Sequence, residues 1–207
     1  YNSFDVTPVA SKALAFNSGA NGLTTAAEGS MVLIETLTAD GSGSTVTFDS
    51  DIDSTYPIYL FKFISLHAQN NDDAFQVNFR DGSTAYDATK TTAFFYSYNR
   101  ENDAANAFQY YDNDIAQGTG VAKLNVGMGG DADQSLSGEM WLFNPSSTTF
   151  VKHFIARSNV AEGGDISQVV HVAGYANVTA AIDGVQFSTS SGNLDAGTIK
   201  MYGIKDS

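Results

Sequence analysis

IYLFKFISLHA, residues 58–68, has the strongest strand pattern in the chain. Successive side chains of a strand point to opposite faces of its sheet. Both faces are largely apolar here: Tyr59, Phe61 and Phe63 lie on one, and Leu60, Ile64 and Leu66 lie on the other. A strand with two apolar faces is covered on both sides in the folded protein. The stretch therefore predicts a central strand.

Shorter runs rich in Val, Ile, Thr, Tyr and Phe recur along the rest of the chain, separated by Gly and Asn. This spacing is typical of a β-sandwich and predicts about ten or eleven strands in total. The other strands are predicted at residues 31–38, 45–48, 74–80, 91–98, 121–126, 137–143, 149–158, 166–172, 181–188 and 198–204. The first two flank the turn sequence DGSG at residues 40–43, so we predict that they form a hairpin.

The composition also favours an all-β protein. Charged residues make up only 16% of the 207 residues, and the acidic ones are mostly Asp, which favours turns over helices. This length fits one domain, and no linker divides the chain. We predict a β-sandwich of two antiparallel sheets at residues 31–207, preceded by an extended N-terminal arm at residues 1–30.

The predicted arm has no sustained apolar period and too few apolar residues to form its own core. Its candidate anchors are Phe4, Val6, Val9, Leu14, Phe16 and Leu23. A segment of this kind becomes ordered only when its apolar side chains are buried against another surface. We therefore expect the arm to cross a subunit boundary.

Charge and cysteine content narrow the classes of function. The net charge is −13 and the ten Lys and Arg residues are not clustered, so we expect no nucleic-acid partner. No apolar stretch reaches the roughly 18 to 20 residues of a membrane span, and the first residues lack a signal-peptide pattern, so we expect no membrane insertion. The absence of cysteine excludes disulfides and thiolate sites.

Motifs for catalysis are weak. The sequence GSGS at residues 41–44 is more typical of a hairpin tip than of a nucleophile elbow. His67, His153 and His171 fall in separate predicted strands and lack the spacing of a metal site. Glu139 is expected to face outward from an alternating strand. We expect no enzyme and no cofactor.

Acidic loops could supply oxygen ligands for calcium, because carboxylates and carbonyls are the groups that calcium prefers. These loops carry Asp49, Asp51 and Asp53, the corner at residues 70–73, and Asp131 with Asp133. The EF-hand spacing fails after Asp49, since Ser54 and Leu60 stand where Gly and Glu are needed. We expect solvated acids, and calcium binding stays an open alternative.

The segment RENDAANAFQYYDNDIAQGTG, residues 100–120, is polar, acidic and rich in tyrosine. We expect a long loop, with one short helix over residues 103–109 as an alternative. Tyrosine and arginine are enriched in surfaces that contact proteins and glycans. The candidate contact residues are Tyr96, Tyr98, Arg100, Tyr110 and Tyr111. For the tyrosines, core packing is an equally good explanation.

Three stretches carry a family resemblance: STYPIYLFKFISLHAQ at residues 54–69, LSGEMWLFNPSSTTFVKHFIAR at residues 136–157, and AGYANVTAAIDGVQFSTSSGNLDAGTIKMYGIK at residues 173–205. Together they resemble virion-associated proteins of bacteriophages, especially tailed phages of marine bacteria. The ending SGNxxxGTIKxYGIK at residues 191–205 is the most recognisable part. The resemblance covers residues 31–205, and Ala176 departs from it, because a bulkier residue is expected there.

The resemblance implies a jelly-roll β-sandwich on the virion exterior, made in the host cytoplasm, with no catalytic residues. We expect a capsid decoration or cement protein that forms a homo-oligomer, a trimer above all, and contacts other virion proteins. The alternative is a tail-fibre or receptor-binding adhesin that recognises host surface glycan through Tyr98, Arg100, Tyr110 and Tyr111. A polysaccharide depolymerase with paired carboxylates is a third, weaker alternative, since no motif supports it.

Overall fold

A computed structural model of the chain describes residues 14–16, 19, 23–25 and 29–205. Within these residues the secondary structure consists of strands without a helix, which confirms the all-β prediction. The strands are β1 (Leu14–Phe16), β2 (Leu23–Thr25), β3 (Met31–Thr38), β4 (Thr45–Phe48), β5 (Ile58–Ala68), β6 (Phe75–Arg80), β7 (Lys90–Arg100), β8 (Asn106–Tyr110), β9 (Ala122–Lys123), β10 (Leu136–Phe143), β11 (Lys152–Glu162), β12 (Ile166–Ala176), β13 (Gly184–Thr189) and β14 (Leu194–Ile204).

Two antiparallel sheets build the domain. The larger has eight strands in the order β3-β14-β5-β10-β11-β12-β7-β8, and the smaller has four in the order β4-β13-β6-β9. Aromatic side chains of the two sheets meet between them, so the domain is a β-sandwich. β1 and β2 pair with each other in a separate two-stranded sheet.

Phe187 of β13 lies at the centre of the core and is fully buried. Its ring centroid is 5.4 Å from that of Phe61 and 5.2 Å from that of Phe63, both on the larger sheet. It also contacts Phe75 and Phe48 of its own sheet, at 5.4 and 6.2 Å. Most of these rings meet edge to face, the geometry that the charge distribution of aromatic rings favours. One side chain thus joins both layers.

β5 is an interior strand between β14 and β10, as its two apolar faces predict. Tyr59, Phe61 and Phe63 point into the core as expected, but the prediction for Leu66 is wrong, because Leu66 also belongs to the core cluster. The backbone of Ser65 has a φ of 47°, and the pairing of β5 with β10 shifts register opposite this point. This irregularity inverts the alternation and turns Leu66 inward.

The predicted hairpin of residues 31–38 and 45–48 does not form. β3 pairs with β14 in the larger sheet, and β4 pairs with β13 in the smaller one. The connecting turn instead bonds to β14, since the backbone N–H groups of Ala39 and Gly41 donate to the carbonyls of Gly197 and Leu194. The turn therefore carries the chain from one sheet to the other.

The alternative helix over residues 103–109 is also wrong. Residues 106–110 form β8, the edge strand that pairs with β7. Of the predicted arm anchors, Phe4, Val6 and Val9 lie outside the described residues. Leu14, Phe16 and Leu23 lie in β1 and β2, where the structure describes the backbone pairing and not the side chains. The extended arm and the jelly-roll connectivity stay predictions.

Replacing Phe187 should weaken the packing between the two sheets and so destabilise the fold. We expect Phe187→Ala to lower the free energy of unfolding by about 3 to 5 kcal/mol, because it leaves a cavity among four rings. The control Phe150→Ala removes a ring that is 69% exposed, and it should change stability by no more than about 0.5 kcal/mol. Urea unfolding measures both values, and equal effects would contradict the described core.

A second prediction concerns Lys90, which is fully buried on β7. Its Nζ donates to the carbonyl of Gly120 at 2.7 Å, and burial lowers the pKa of Lys90 to about 8, against a smaller opposing effect of Asp87. The unfolded chain then binds more protons than the folded chain between about pH 8 and 10.5, so this lysine makes stability rise with pH in that window.

Lys90→Met should abolish that rise. The difference in unfolding free energy between the natural chain and Lys90→Met should therefore move in favour of the natural chain from pH 7.5 to pH 10. Urea unfolding at the two pH values provides the test, and a pH-independent difference would show that Lys90 has an ordinary pKa.

Candidate functional site

Among residues 29–205, the smaller sheet packs on one face of the larger sheet and leaves the opposite face open. We call this opposite surface the outer face. Ten large apolar side chains of the described residues are exposed, and eight of them lie on it, Val121 and Phe150 being elsewhere. The eight are Met31, Leu33, Ile64, Phe95, Phe108, Tyr110, Ile155 and Val169. An apolar surface this concentrated is typical of a contact site for another molecule.

A continuous apolar row crosses seven strands of the outer face. Cross-strand register places directly opposite one another Leu33, Tyr202, Leu60, Trp141, Ile155, Ala173 and Ala93. Leu60 is only 2% exposed, whereas Ile155 is 49% exposed. The row is therefore buried at Leu60 and exposed at Ile155.

A charged row runs beside the apolar row. Its members, in order across the eight strands, are Thr36, Lys200, Lys62, Glu139, Arg157, His171, Phe95 and Tyr110. The Nζ of Lys62 donates to Glu139 Oε2 at 2.5 Å, and Nη2 of Arg157 donates to Glu139 Oε1 at 3.3 Å. The hydrogen bond from Lys62 is the main cause that lowers the pKa of Glu139. We call Lys200, Lys62 and Arg157 the cationic row.

The cationic row is unusual in so acidic a chain, because three positive side chains face one carboxylate there. The side chain of Arg157 is 62% exposed and that of Lys62 is 40% exposed. A shallow depression of about 400 Å³ lies over Lys62, Glu139 and Arg157. The arrangement can bind an acidic partner that also carries apolar side chains.

Aromatic side chains close the row at the β7 and β8 end. Phe95 stacks on His171 with ring centroids 5.1 Å apart and contacts Phe108 at 5.5 Å. Tyr110 is 58% exposed, and its hydroxyl donates to the carboxylate of Asp114. That hydrogen bond is the main cause that raises the pKa of Tyr110. Phe108 and Tyr110 extend the apolar surface to the sheet edge.

The five residues predicted as a contact site do not share one surface. Tyr110 lies on the outer face, while Tyr96, Tyr98 and Tyr111 lie on the inner face of the sheet. There Tyr96 stacks on Tyr98 at 6.4 Å and meets Tyr111 edge to face at 5.9 Å. Arg100 ends β7 and is exposed. Adjacent residues of a chain point to opposite faces, which separates Tyr110 from Tyr111.

Tyr111 combines core packing with a polar contact. Its ring lies 4.7 Å from that of buried Phe94, and the Nζ of Lys123 sits 5.6 Å from its ring centroid. Tyr96 and Tyr111 are partly buried hydrophobic residues packed against the main core cluster. The inner-face tyrosines therefore serve packing to a large extent, which was one of the two explanations that the sequence left open.

The predicted acidic loops contribute no residue to the apolar row or to the charged row. Asp73 is buried, its Oδ1 accepts hydrogen bonds from the hydroxyl and amide groups of Ser190 and Ser191, and its Oδ2 has no partner in the described structure. His67 binds Asp195 through Nδ1 at 2.5 Å. Among the described residues no group of three or more His, Asp or Glu side chains is placed to hold a metal ion.

The cationic row was missed at the sequence level. Glu139 was expected to face outward, and it does, but its partners Lys62 and Arg157 come from two other strands. A signal was present: Trp141 and Ile155 are large apolar residues at positions that alternate with buried ones, where a solvated strand carries polar residues. Their outward placement leaves large apolar side chains on the face that the smaller sheet does not cover.

Comparisons with known proteins give no match to a family model, a curated protein or a solved structure. In the described part of the chain, no helix has the length and apolar character needed to cross a membrane.

The ion pairs of Glu139 give a testable pH dependence. Because the folded pKa of Glu139 is lowered, its contribution to stability is present above the unfolded value of about 4.5 and is lost as pH falls through the folded pKa. Glu139→Gln should cost about 0.5 to 1 kcal/mol at pH 7, and less at pH 3.

Urea unfolding at both pH values measures the change. Glu101→Gln, at an exposed turn outside the row, is the matched control and should leave stability at pH 7 unchanged. A loss for Glu139→Gln that is equally large at pH 3 and pH 7 would show that the ion pairs do not stabilise the fold.

Proposed function

We propose that the chain is a non-enzymatic structural protein of a bacteriophage virion, and most specifically a capsid decoration or cement protein on the particle exterior. The single observation that carries the proposal is the outer face. A sandwich with a complete core has no structural need for eight exposed large apolar side chains on its second surface. Such a surface is suited to a protein whose role is to bind other proteins in an assembly.

The size of the outer face suits a stable contact. Eight strands about 4.8 Å apart span about 34 Å, and the exposed rows extend about 20 Å along the strands. The resulting area of about 700 Å² is close to the roughly 800 Å² that each partner contributes to a standard protein interface. Sugars bind in more enclosed sites, so this broad, flat surface favours a protein partner.

The sequence resemblance supplies the virion setting for this contact, because residues 31–205 resemble phage virion proteins. The partners are then capsid or tail proteins together with further copies of the chain, and a trimer is the favoured oligomer. The compact domain contains no coiled-coil or other shaft sequence, which favours decoration over a fibre role.

The proposal includes a jelly-roll connectivity with an N-terminal arm at residues 1–30. In support, successive strands change sheet repeatedly: β3, β5 and β7 lie in the larger sheet, while β4 and β6 lie in the smaller one. β12, β13 and β14 alternate in the same way. β10, β11 and β12 instead follow one another within the larger sheet, so this part is a meander.

A glycan-binding adhesin is the second candidate, favoured by the stacked pair of Tyr96 and Tyr98 near Arg100 on the inner face. Flat aromatic faces beside polar groups are suited to sugar rings. Its weakness is that Tyr110, which the sequence assigned to the same site, points to the opposite face. Binding of host polysaccharide that Tyr98→Ala weakens would favour the adhesin over the decoration protein.

Incorporation into particles tests the proposal. Phage particles assembled with the natural chain should contain it, and immunogold labelling should place it on the head. Ile155→Asp puts a charge into the apolar row and should reduce incorporation at least about tenfold. Val121→Asp, which changes a side chain 41% exposed beside the smaller sheet, is the control and should be incorporated normally.

Absence of the chain from purified particles would overturn the virion proposal. Equal incorporation of both variants would show that the outer face is not the contact. Thermal melts of the two variants distinguish lost binding from lost folding, since both substitutions change exposed side chains.

A further inference from the structure

A second surface of the molecule carries negative charge, opposite in sign to the charge of the cationic row. It is a groove of about 270 Å³ beside the edge strand β3, lined by Val32, Leu33, Ile34, Asp51, Asp53, Thr55 and Tyr56. We call it the acidic groove. Asp51 and Asp53 of its lining are exposed, as is Asp49 two residues before Asp51, and Glu35 is half-buried next to Ile34.

Within the described residues, Asp53 Oδ1 accepts hydrogen bonds from the Thr55 amide at 2.7 Å and from the Tyr59 hydroxyl at 3.2 Å, which lower the pKa of Asp53. None of the ion pairs among residues 29–205 involves Glu35, Asp49, Asp51 or Asp53. Arg80 donates to the backbone carbonyl of Asp49 at 2.9 Å, but its charge is paired with Asp183 at 2.8 Å. Burial, followed by the charges of Asp51 and Asp49, raises the pKa of Glu35.

We propose that the outer face binds a second copy of this chain, with the cationic row of one copy against the acidic groove of the next. Charge complementarity carries this assignment. Two outer faces placed against each other would bring Lys200, Lys62 and Arg157 together with their like-charged copies, whereas the groove offers them carboxylates. This contact rests on the proposed role of the outer face in assembly.

The shapes of the two surfaces agree with the charges. The walls of the groove include Leu33, Ile34 and Tyr56, which suit the apolar stem of a long basic side chain, while the rim carboxylates hold its charged end. Arg157, 62% exposed, is the side chain best placed to enter. Leu33 belongs both to the groove and to the apolar row, so apolar contact continues from one surface into the other.

Because the two surfaces differ, we assign the contact to a head-to-tail arrangement. A head-to-tail contact repeated with a fixed rotation closes into a ring, and a trimer is one such ring. The face and the groove of each copy are then both used, and this contact is the copy-to-copy part of the proposed assembly.

Charge reversal tests the contact with the purified chain alone. The face variant carries Arg157→Glu with Lys200→Glu, and the groove variant carries Asp49→Lys with Asp51→Asn, since asparagine tolerates the left-handed backbone of Asp51 at a φ of 62°. Sedimentation velocity should show an oligomer for the natural chain and monomers for each variant alone. Circular-dichroism melts check that each variant is folded.

Mixing the two variants is the decisive step. The face variant keeps an intact groove and the groove variant keeps an intact face, so the mixture should associate although neither component does. The dissociation constant of the natural oligomer should also be at least about tenfold higher at 0.5 M NaCl than at 0.05 M NaCl.

Three outcomes would overturn the proposal. A groove variant that associates like the natural chain would indicate face-to-face packing, and a mixture that stays monomeric would exclude the complementary contact. A natural chain that is monomeric up to about 100 μM would exclude self-association at useful strength. In that last case the virion proposal is judged separately by incorporation of Ile155→Asp, whose partner would then be a different protein.

Discussion

The contact of Phe187 with the rings of both sheets is the interaction on which the rest of the structure depends. It joins the eight-stranded and four-stranded sheets without disulfides, since the chain contains no cysteine. The apolar area between the sheets is the main source of folding free energy available to such a chain. Because that core is complete, the second face of the larger sheet is left free for another use.

That outer face carries eight exposed large apolar side chains and the cationic row. Large apolar residues on a solvated sheet cost solubility, and edge strands such as β8 and β3 add unpaired backbone groups beside them. The net charge of −13 opposes nonspecific association of the chain, while the cationic row is a local exception to it. Apolar area and opposite charge together favour one specific partner surface over random aggregation.

Local pattern in the sequence predicted most strands, because alternation depends only on neighbouring residues. Tyr59, Phe61 and Phe63 were placed correctly on the core face of β5. Leu66 was not, because the irregular backbone at Ser65 inverts the alternation and leaves no sequence signature. The hairpin prediction was wrong for a related reason. β3 pairs with β14, and such long-range pairing depends on the assembled core.

The site was harder to predict than the fold for the same reason. Lys62 and Glu139 are 77 residues apart in sequence and become neighbours only when β5 pairs with β10. The tyrosine-rich segment was predicted as a contact site because of its composition. Side chains alternate between the two faces in and beyond β8, so Tyr110 and Tyr111 lie on opposite faces. The contact role of the tyrosines stays a prediction from composition, and pairing across strands determines which side chains share the outer face.

Association is expected to cover the outer face of the larger sheet. The fluorescence of Trp141 reports on that face directly, because Trp141 is the single tryptophan of the chain and lies in the apolar row. Its fluorescence emission should be recorded across a concentration series in which sedimentation follows assembly in parallel. The emission of Trp141 should shift to shorter wavelength in proportion to oligomer formation. Assembly without any change in the Trp141 emission would place the interface elsewhere and contradict the account.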